Sequence, residues 1–203
     1  YYIKIWHITP IYQFNIIKNI FYPLCFFVCS IANKNFGRSH LHWGIVLDTE
    51  TTGLSVKDGH RIVEIGCIEL ENLIPTKNRF HCFLNPERKV SEKALEVHGY
   101  SDEFLSKQKK FDEVGEEFLK FIKDKKLIIH NAEFDLAHIN NELKIFGTKK
   151  IENEIVDTLI LAREKFPGSP VSLDALCKRF RIDNSKRTQH TALIDCDLLA
   201  KVY

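Results

Sequence analysis

Four carboxylates and one histidine sit where they could do chemistry together. Asp48-Thr49-Glu50 follows the apolar run Ile45-Val46-Leu47. Side chains alternate along a strand, so Asp48 and Glu50 share a face with one residue between them. Two carboxylates at the end of an apolar strand repel each other and lose hydration, so something cationic must compensate. The strand itself supplies no Lys or Arg. A divalent ion is the natural candidate, because hard Mg²⁺ or Mn²⁺ prefers a few carboxylates plus water. Taken alone, such a pair is equally at home on a solvated strand. Asp135 ends a second segment, Ile128-Ile129-His130-Asn131-Ala132-Glu133-Phe134-Asp135, and at the start of a helix it could simply favour the helix dipole. His190 precedes Asp195 by five residues. Were both helical they would stand about 140° apart. They converge only if His190 lies in a loop and Asp195 in the helix after it, which leaves the histidine mobile and the aspartate fixed. A lone histidine in a polar loop is otherwise just solvated.

These residues need elements to carry them. Ile45 to Leu47 reads as a buried strand, Arg61 to Leu70 as a second after the Gly53 turn, and Arg79 to Leu84 as a third. Short loops favour antiparallel neighbours here. Ser91 to Val97 and Phe111 to Ile122 have helical spacing, with Phe111, Val114, Phe118, Leu119 and Ile122 on one face. Lys126 to His130 is another strand, followed by a helix from about Phe134 that Gly147 ends. Ile155-Val156 precedes a helix from Leu159 to Lys165, and Pro167-Gly168-Ser169-Pro170 breaks the chain. Ser172 caps a helix running to Phe180, and a last helix spans Ala192 to Tyr203. This order of strands and helices predicts an α/β fold, a mixed sheet covered by helices.

In combination the motifs are far more specific than any one alone. Asp48-Thr49-Glu50-Thr51-Thr52-Gly53, His130 through Asp135, and His190 with Asp195 resemble the DEDDh 3′–5′ exonucleases. Asp58-Gly59-His60-Arg61-Ile62-Val63-Glu64-Ile65-Gly66, Phe83-Leu84-Asn85-Pro86, Val97-His98-Gly99 and Ser172 through Cys177 are similar to the proofreading (epsilon) group within it, which serves bacterial DNA polymerase III. The resemblance covers about residues 45–203 in the family's order.

It implies a ribonuclease H-like, mixed five-stranded sheet flanked by helices. It also implies two divalent ions, Mg²⁺ or Mn²⁺, held by Asp48, Glu50, Asp135 and Asp195. Four negative charges balance two dications, and a metal pair about 3.5–4 Å apart can stabilise both attacking and leaving oxygens. By this analogy Asp48 bridges the ions, Glu50 and Asp195 lie on the nucleophile side, and Asp135 helps the other. His190 is the expected catalytic base, since an imidazole ordinarily titrates near neutrality. The activity implied is that of a 3′–5′ exodeoxyribonuclease releasing 5′-mononucleotides from mispaired DNA ends in replication proofreading. A frayed end is easier to unpair and thread into a single-strand pocket, so mismatch preference needs no base reading. Thr51, Thr52, Gly53 and Leu54 are expected at the terminal nucleotide, with His130 and Phe134 on the opposite wall and His98 as a further contact. For these, turn chemistry at Gly53, core packing at Phe134 and helix capping at His98 are the competing readings.

Composition bounds the remainder. The chain has 203 residues, 44% hydrophobic and 28% charged, which excludes collagen, a disordered linker and a disulfide-stapled miniature. Its net charge of +2 divides unevenly. Residues 1–44 hold Lys4, Lys18, Lys34 and Arg38 and no acid, leaving 25 of the 29 basic residues against all 27 acidic ones. The acidic remainder lacks the large basic groove of duplex binders, which fits weak DNA binding with affinity supplied by a polymerase catalytic subunit. In the family that partner contacts a flexible segment beyond the last helix, and the chain ends at Tyr203. There is no methionine, so Tyr1 is not expected to be a native start, and 1–43 reads as an extension of unknown role, with a non-native origin as an open alternative, ahead of an exonuclease domain at 44–203. Its apolar stretch Ile20 to Ala32 contains Pro23 and is too short to span a membrane. A signal peptide is the disfavoured alternative. Six cysteines without a CxxC pair read as free thiols of a reducing, cytoplasmic setting. The competing functions are a ribonuclease T-like or oligoribonuclease-like enzyme acting on RNA, an idle nucleic-acid-binding domain, and a poorly folding fragment.

Overall fold

Alternation in the first apolar run decides the architecture, because it divides two cores. In the computed structural model, which describes residues 43–203, strand β1 (Trp43–Thr51) is central to a five-stranded sheet. Ile45 and Leu47 enter one buried cluster, and Val46 enters the other on the opposite face. β1 pairs antiparallel with β2 (Ile62–Glu71), and β2 antiparallel with the edge strand β3 (Ile74–Phe83). On its other side β1 pairs parallel with β4 (Lys126–Ile129), and β4 parallel with β5 (Ile155–Asp157). The order β3-β2-β1-β4-β5 is the expected mixed, five-stranded sheet.

Helices cover both faces. α1 (Glu92–His98) and the short α2 (Asp102–Leu105) follow β3. α3 (Phe111–Ile122) and α4 (Ala132–Phe146) contribute to the cluster holding Ile45 and Leu47. α5 (Thr158–Lys165), α6 (Leu173–Phe180) and α7 (Ala192–Val202) contribute to the cluster holding Val46. α3 buries Phe111, Val114, Phe118 and Ile122, the face its spacing predicts, with Leu119 packed at the margin. α7 lies unusually close to the sheet. A Cβ on Gly66 of β2 would stand 2.6 Å from the Ala192 carbonyl carbon and 2.7 Å from Leu193 N, so glycine permits the approach. The Cys196 thiol then donates to Gly66 O at 3.2 Å.

Several boundaries differ from those expected. β3 begins at Ile74, five residues before Arg79, since Asn72 and Leu73 both take positive φ and turn the chain tightly. Pro75 obscures this in the sequence but is tolerated in an edge strand. α4 begins at Ala132 rather than Phe134. α2 and a 3₁₀ turn at Val56–Asp58 were not anticipated. Cys67, Cys82, Cys177 and Cys196 are free thiols. Cys25, Cys29, the suggested signal peptide and the extension 1–43 lie outside the described residues, apart from Trp43, which opens β1. Among the described residues no helix is long and apolar enough to cross a membrane.

Candidate active site

The candidate site forms at the C-terminal end of β1, where both helical layers reach over the sheet. Asp48 and Glu50 share parity with Val46 and so lie toward the α7 layer, while Thr49 lies with Ile45 and Leu47 toward α4. α4 supplies Asp135 on that second side. The Thr49 backbone N–H (3.0 Å) and hydroxyl (2.7 Å) both donate to Asp135 Oδ1. Asp135 is therefore more than a first-turn acid: it is buried and tied to the strand that carries the other two carboxylates.

Asp195 comes from the first turn of α7, and His190 from the loop before it. Thr191 caps α7, its hydroxyl accepting from Ile194 N, and this bend brings His190 Nδ1 to 3.4 Å from Asp195 Oδ2. Ligand atoms of Glu50, His190 and Asp195 all lie within 4.8 Å of one another. The loop is held more firmly than the spacing suggests. His190 N donates to Val97 O at 3.1 Å, while the imidazole stays accessible.

Crowded negative charge sets the electrostatics. Burial first, then Asp135, Asp195, Glu50 and Glu64, push the Asp48 carboxyl well above the ordinary range. Burial and then Asp195, Glu64 and Asp135 push Glu50 to about 8, with Arg187 opposing. Burial raises Asp135 to about 7 against the two hydrogen bonds from Thr49. Carboxylates so raised want a cation, and an all-oxygen set with an adjacent imidazole suits a hard divalent ion. The residues present fit such an ion.

Three contributors escaped the sequence reading. Glu64 on β2 faces Glu50 across the β1–β2 pair and is buried. It accepts from Tyr100 Oη (2.8 Å), from Ala192 N (3.0 Å), and pairs with His81 Nε2 (2.7 Å). An acid inside Ile62-Val63-Glu64-Ile65 was the available signal. Asp157 at the end of β5 accepts from Asn131 N and Ala132 N at the start of α4, and from Leu159 N and Ile160 N at the start of α5. One carboxylate thus caps two helices. Arg187, in a polar loop with no distinguishing pattern, forks onto both oxygens of Asp195 at 2.6 Å. The cation that β1 lacks is supplied in part from this distant loop.

The expected substrate contacts divide. Thr51 and Thr52 are buried and committed internally: the Thr51 hydroxyl donates to Gly53 O, and the Thr52 hydroxyl bonds His60 Nδ1 and accepts from Arg61 N. At Gly53 the demand is space, since a Cβ would meet the His60 ring at 2.3 Å. Leu54 is 82% exposed and free to pack on a ligand. Phe134 is only partly buried, its ring 4.6 Å from that of His138, so it is not a core residue. His130 bonds the Thr158 hydroxyl at 2.9 Å, and burial holds its ring below the ordinary imidazole range. His98 is buried, stacks on Tyr100 and accepts at Nδ1 from Tyr100 N, while Gly99 in the left-handed region terminates α1.

Residues 45–203 match the model of the exonuclease family RNase_T. The chain is 51% identical over 163 residues to DNA polymerase III subunit epsilon of Rickettsia typhi (strain ATCC VR-144 / Wilmington), covering 78% of this chain and 71% of that one. It is 46% identical over 167 residues to the same subunit of Escherichia coli (strain K12), covering 78% and 69%. Its fold superposes on the nuclease domain of 3'hExo, a DEDDh family member bound to rAMP, with a TM-score of 0.67 at 16% identity over 82% of this chain and 92% of that one. Exonuclease X in complex with 5′-overhanging duplex DNA gives a TM-score of 0.62 at 24% identity over 78% and 87%.

Proposed function

Since the chain belongs to the exonuclease family RNase_T, and within it to the DNA polymerase III epsilon subunits, we propose that it removes mispaired 3′-terminal nucleotides from DNA as 5′-mononucleotides. The observation that supports this most is the convergence of Asp48, Glu50, Asp135 and Asp195 from β1, α4 and α7 on one strand end, with His190 beside Asp195. In this reading the four carboxylates hold two divalent ions, Mg²⁺ or Mn²⁺. Such ions, when bound, supply a water of lowered pKa and charge stabilisation for the leaving oxygen.

The chain's own residues do the rest. Asp48 and Glu50 share one face, so they present oxygens side by side. Thr49 fixes Asp135 through two hydrogen bonds. The half-exposed ring of His190 takes the proton of the attacking water at its basic nitrogen. Leu54, with Phe134 across from it, forms the apolar walls for the terminal base, and the Thr51–Gly53 segment acts through its backbone. His98 and His130 buttress this pocket from within, and the partner at the 3′ end is DNA, delivered by a polymerase catalytic subunit in the cytoplasm.

The test is a 3′-labelled, mismatched DNA primer and an RNA of matching sequence, each incubated with the chain and Mg²⁺, then with chelator. Mononucleotides should leave the DNA only in the presence of metal. Release that survives chelation sinks the metal reading, and faster release from RNA replaces the DNA assignment with a ribonuclease one.

A further inference from the structure

Arg187 is the one cation engaged with the carboxylates of the site among the described residues, and the reaction outlined above gives it nothing to do. It lies in the loop joining α6 to α7, with its side chain 8% exposed. Its Nε and Nη2 each stand 2.6 Å from an oxygen of Asp195. Nη1 donates to Asp174 Oδ2 in the first turn of α6 at 2.7 Å. Nη2 also stands 2.8 Å from His190 Nδ1. A guanidinium has donors and no acceptor, so Nδ1 of His190 is the acceptor in that contact and the ring proton sits on Nε2. One residue thus engages both oxygens of a metal-binding carboxylate and the lone pair of the neighbouring base.

This arrangement competes with the proposed chemistry. A fork of two parallel N–H···O bonds takes the in-plane directions of both carboxylate oxygens. A divalent ion on Asp195 needs one of those oxygens and repels a guanidinium a few ångströms away. The same guanidinium must also leave Nδ1 before that nitrogen can accept a proton. Asp174, exposed and already bonded to Nη1, remains as an anchor when the fork opens. We propose that Arg187 is an exchangeable counter-ion, which neutralises Asp195 and occupies His190 Nδ1 in the metal-free chain and is displaced from both when a divalent cation binds Asp195. The inference rests on Asp195 being a metal ligand, as argued above.

The decisive measurement needs no nucleic acid and no turnover. In chelator-treated full chain, the Arg187 Nε–H proton should give a protected, downfield resonance. Titration with Mg²⁺ should remove it in proportion to metal occupancy measured by calorimetry. A resonance that persists at saturating Mg²⁺ overturns the displacement. Arg187→Gln should bind Mn²⁺ at least about tenfold more tightly, the scale of a charge-assisted hydrogen bond present in only one of two states. Arg187→Lys keeps the charge but loses the fork, so its Mn²⁺ affinity should fall between the two. Unchanged affinity in Arg187→Gln, or Arg187→Lys identical to the wild type, overturns the proposal. Failure of the wild-type chain to bind Mn²⁺ at all would remove the metal reading itself, and this inference with it.

Discussion

Asp48 is the residue on which the most charge converges. Its carboxyl is raised by burial and by four neighbouring acids, so the metal-free fold carries it at a cost, and in the proposed reaction it is a metal ligand. Asp48→Asn keeps the shape and removes the charge. It should reduce nucleotide release by about a thousandfold or more, the scale on which removing a principal electrostatic group acts. The same change should raise the melting temperature of the metal-free chain, because the cost of protonating a buried, crowded carboxyl on folding is gone. A variant that retains activity refutes the ligand assignment, and one that melts earlier refutes the account of repulsion. The residues expected at the terminal nucleotide divide by what their side chains already bond. Thr51 and Thr52 occupy the expected segment, yet their hydroxyls are spent on Gly53 O, His60 and Arg61 N, which leaves Leu54 as the one fully presented side chain.

At the scale of elements, the site depends on where α4 and α7 begin. Asp157 fixes the first of these: it caps α4 four residues before Asp135, at Asn131, whose φ of 69° places it in the left-handed region. Because a lost cap typically destabilises by about 1 kcal/mol, Asp157→Ala should destabilise by about 2 kcal/mol through two helices. It should also weaken catalysis well beyond what partial unfolding explains, since Asp135 would no longer be held against Thr49. Denaturant unfolding and cleavage rates, measured at a temperature where the variant is folded, check both parts. Full activity in the folded variant would show that Thr49 alone positions Asp135. Glu64 does the corresponding work for α7, accepting from Ala192 N where Gly66 lets the helix meet the sheet.

For the whole molecule, the raised carboxylates make stability depend on pH in a direction opposite to ordinary acids. Glu50 ionises near pH 4.5 when unfolded and near 8 when folded, and Asp48 and Asp135 are raised likewise. Between those values the folded state binds more protons, so metal-free stability falls as pH rises. The lowered histidines His60, His98 and His130 act at the acid end: they are protonated more readily unfolded, so their contribution is lost as pH falls below about 6.5. From pH 6.5 to 8.5 the carboxylates therefore dominate. The metal-free melting temperature should drop across that window, and the gain on adding Mg²⁺ should be larger at 8.5 than at 6.5, as metal binding releases protons. Thermal scans with chelator and with Mg²⁺ check this, and a metal-free melting temperature that climbs from 6.5 to 8.5 refutes it.

Much of this was legible in the sequence because its signals are local. Alternation assigns Asp48 and Glu50 to one face, helical spacing gives the buried face of α3, and His190 in a loop with Asp195 in a helix is the only arrangement in which the two meet. The resemblance of the ordered motifs then supplied the family. What the sequence could not carry are contacts between distant segments. Nothing near Asp135 foretells the Thr49 hydroxyl 86 residues away, nothing near Arg187 distinguishes it from its basic neighbours, and Pro75 hides the start of β3. Local pattern fixes which way a side chain faces relative to its own backbone. Only the packed sheet and helices decide which charges become neighbours, and with them the titration of the carboxylates and the counter-ion that holds Asp195.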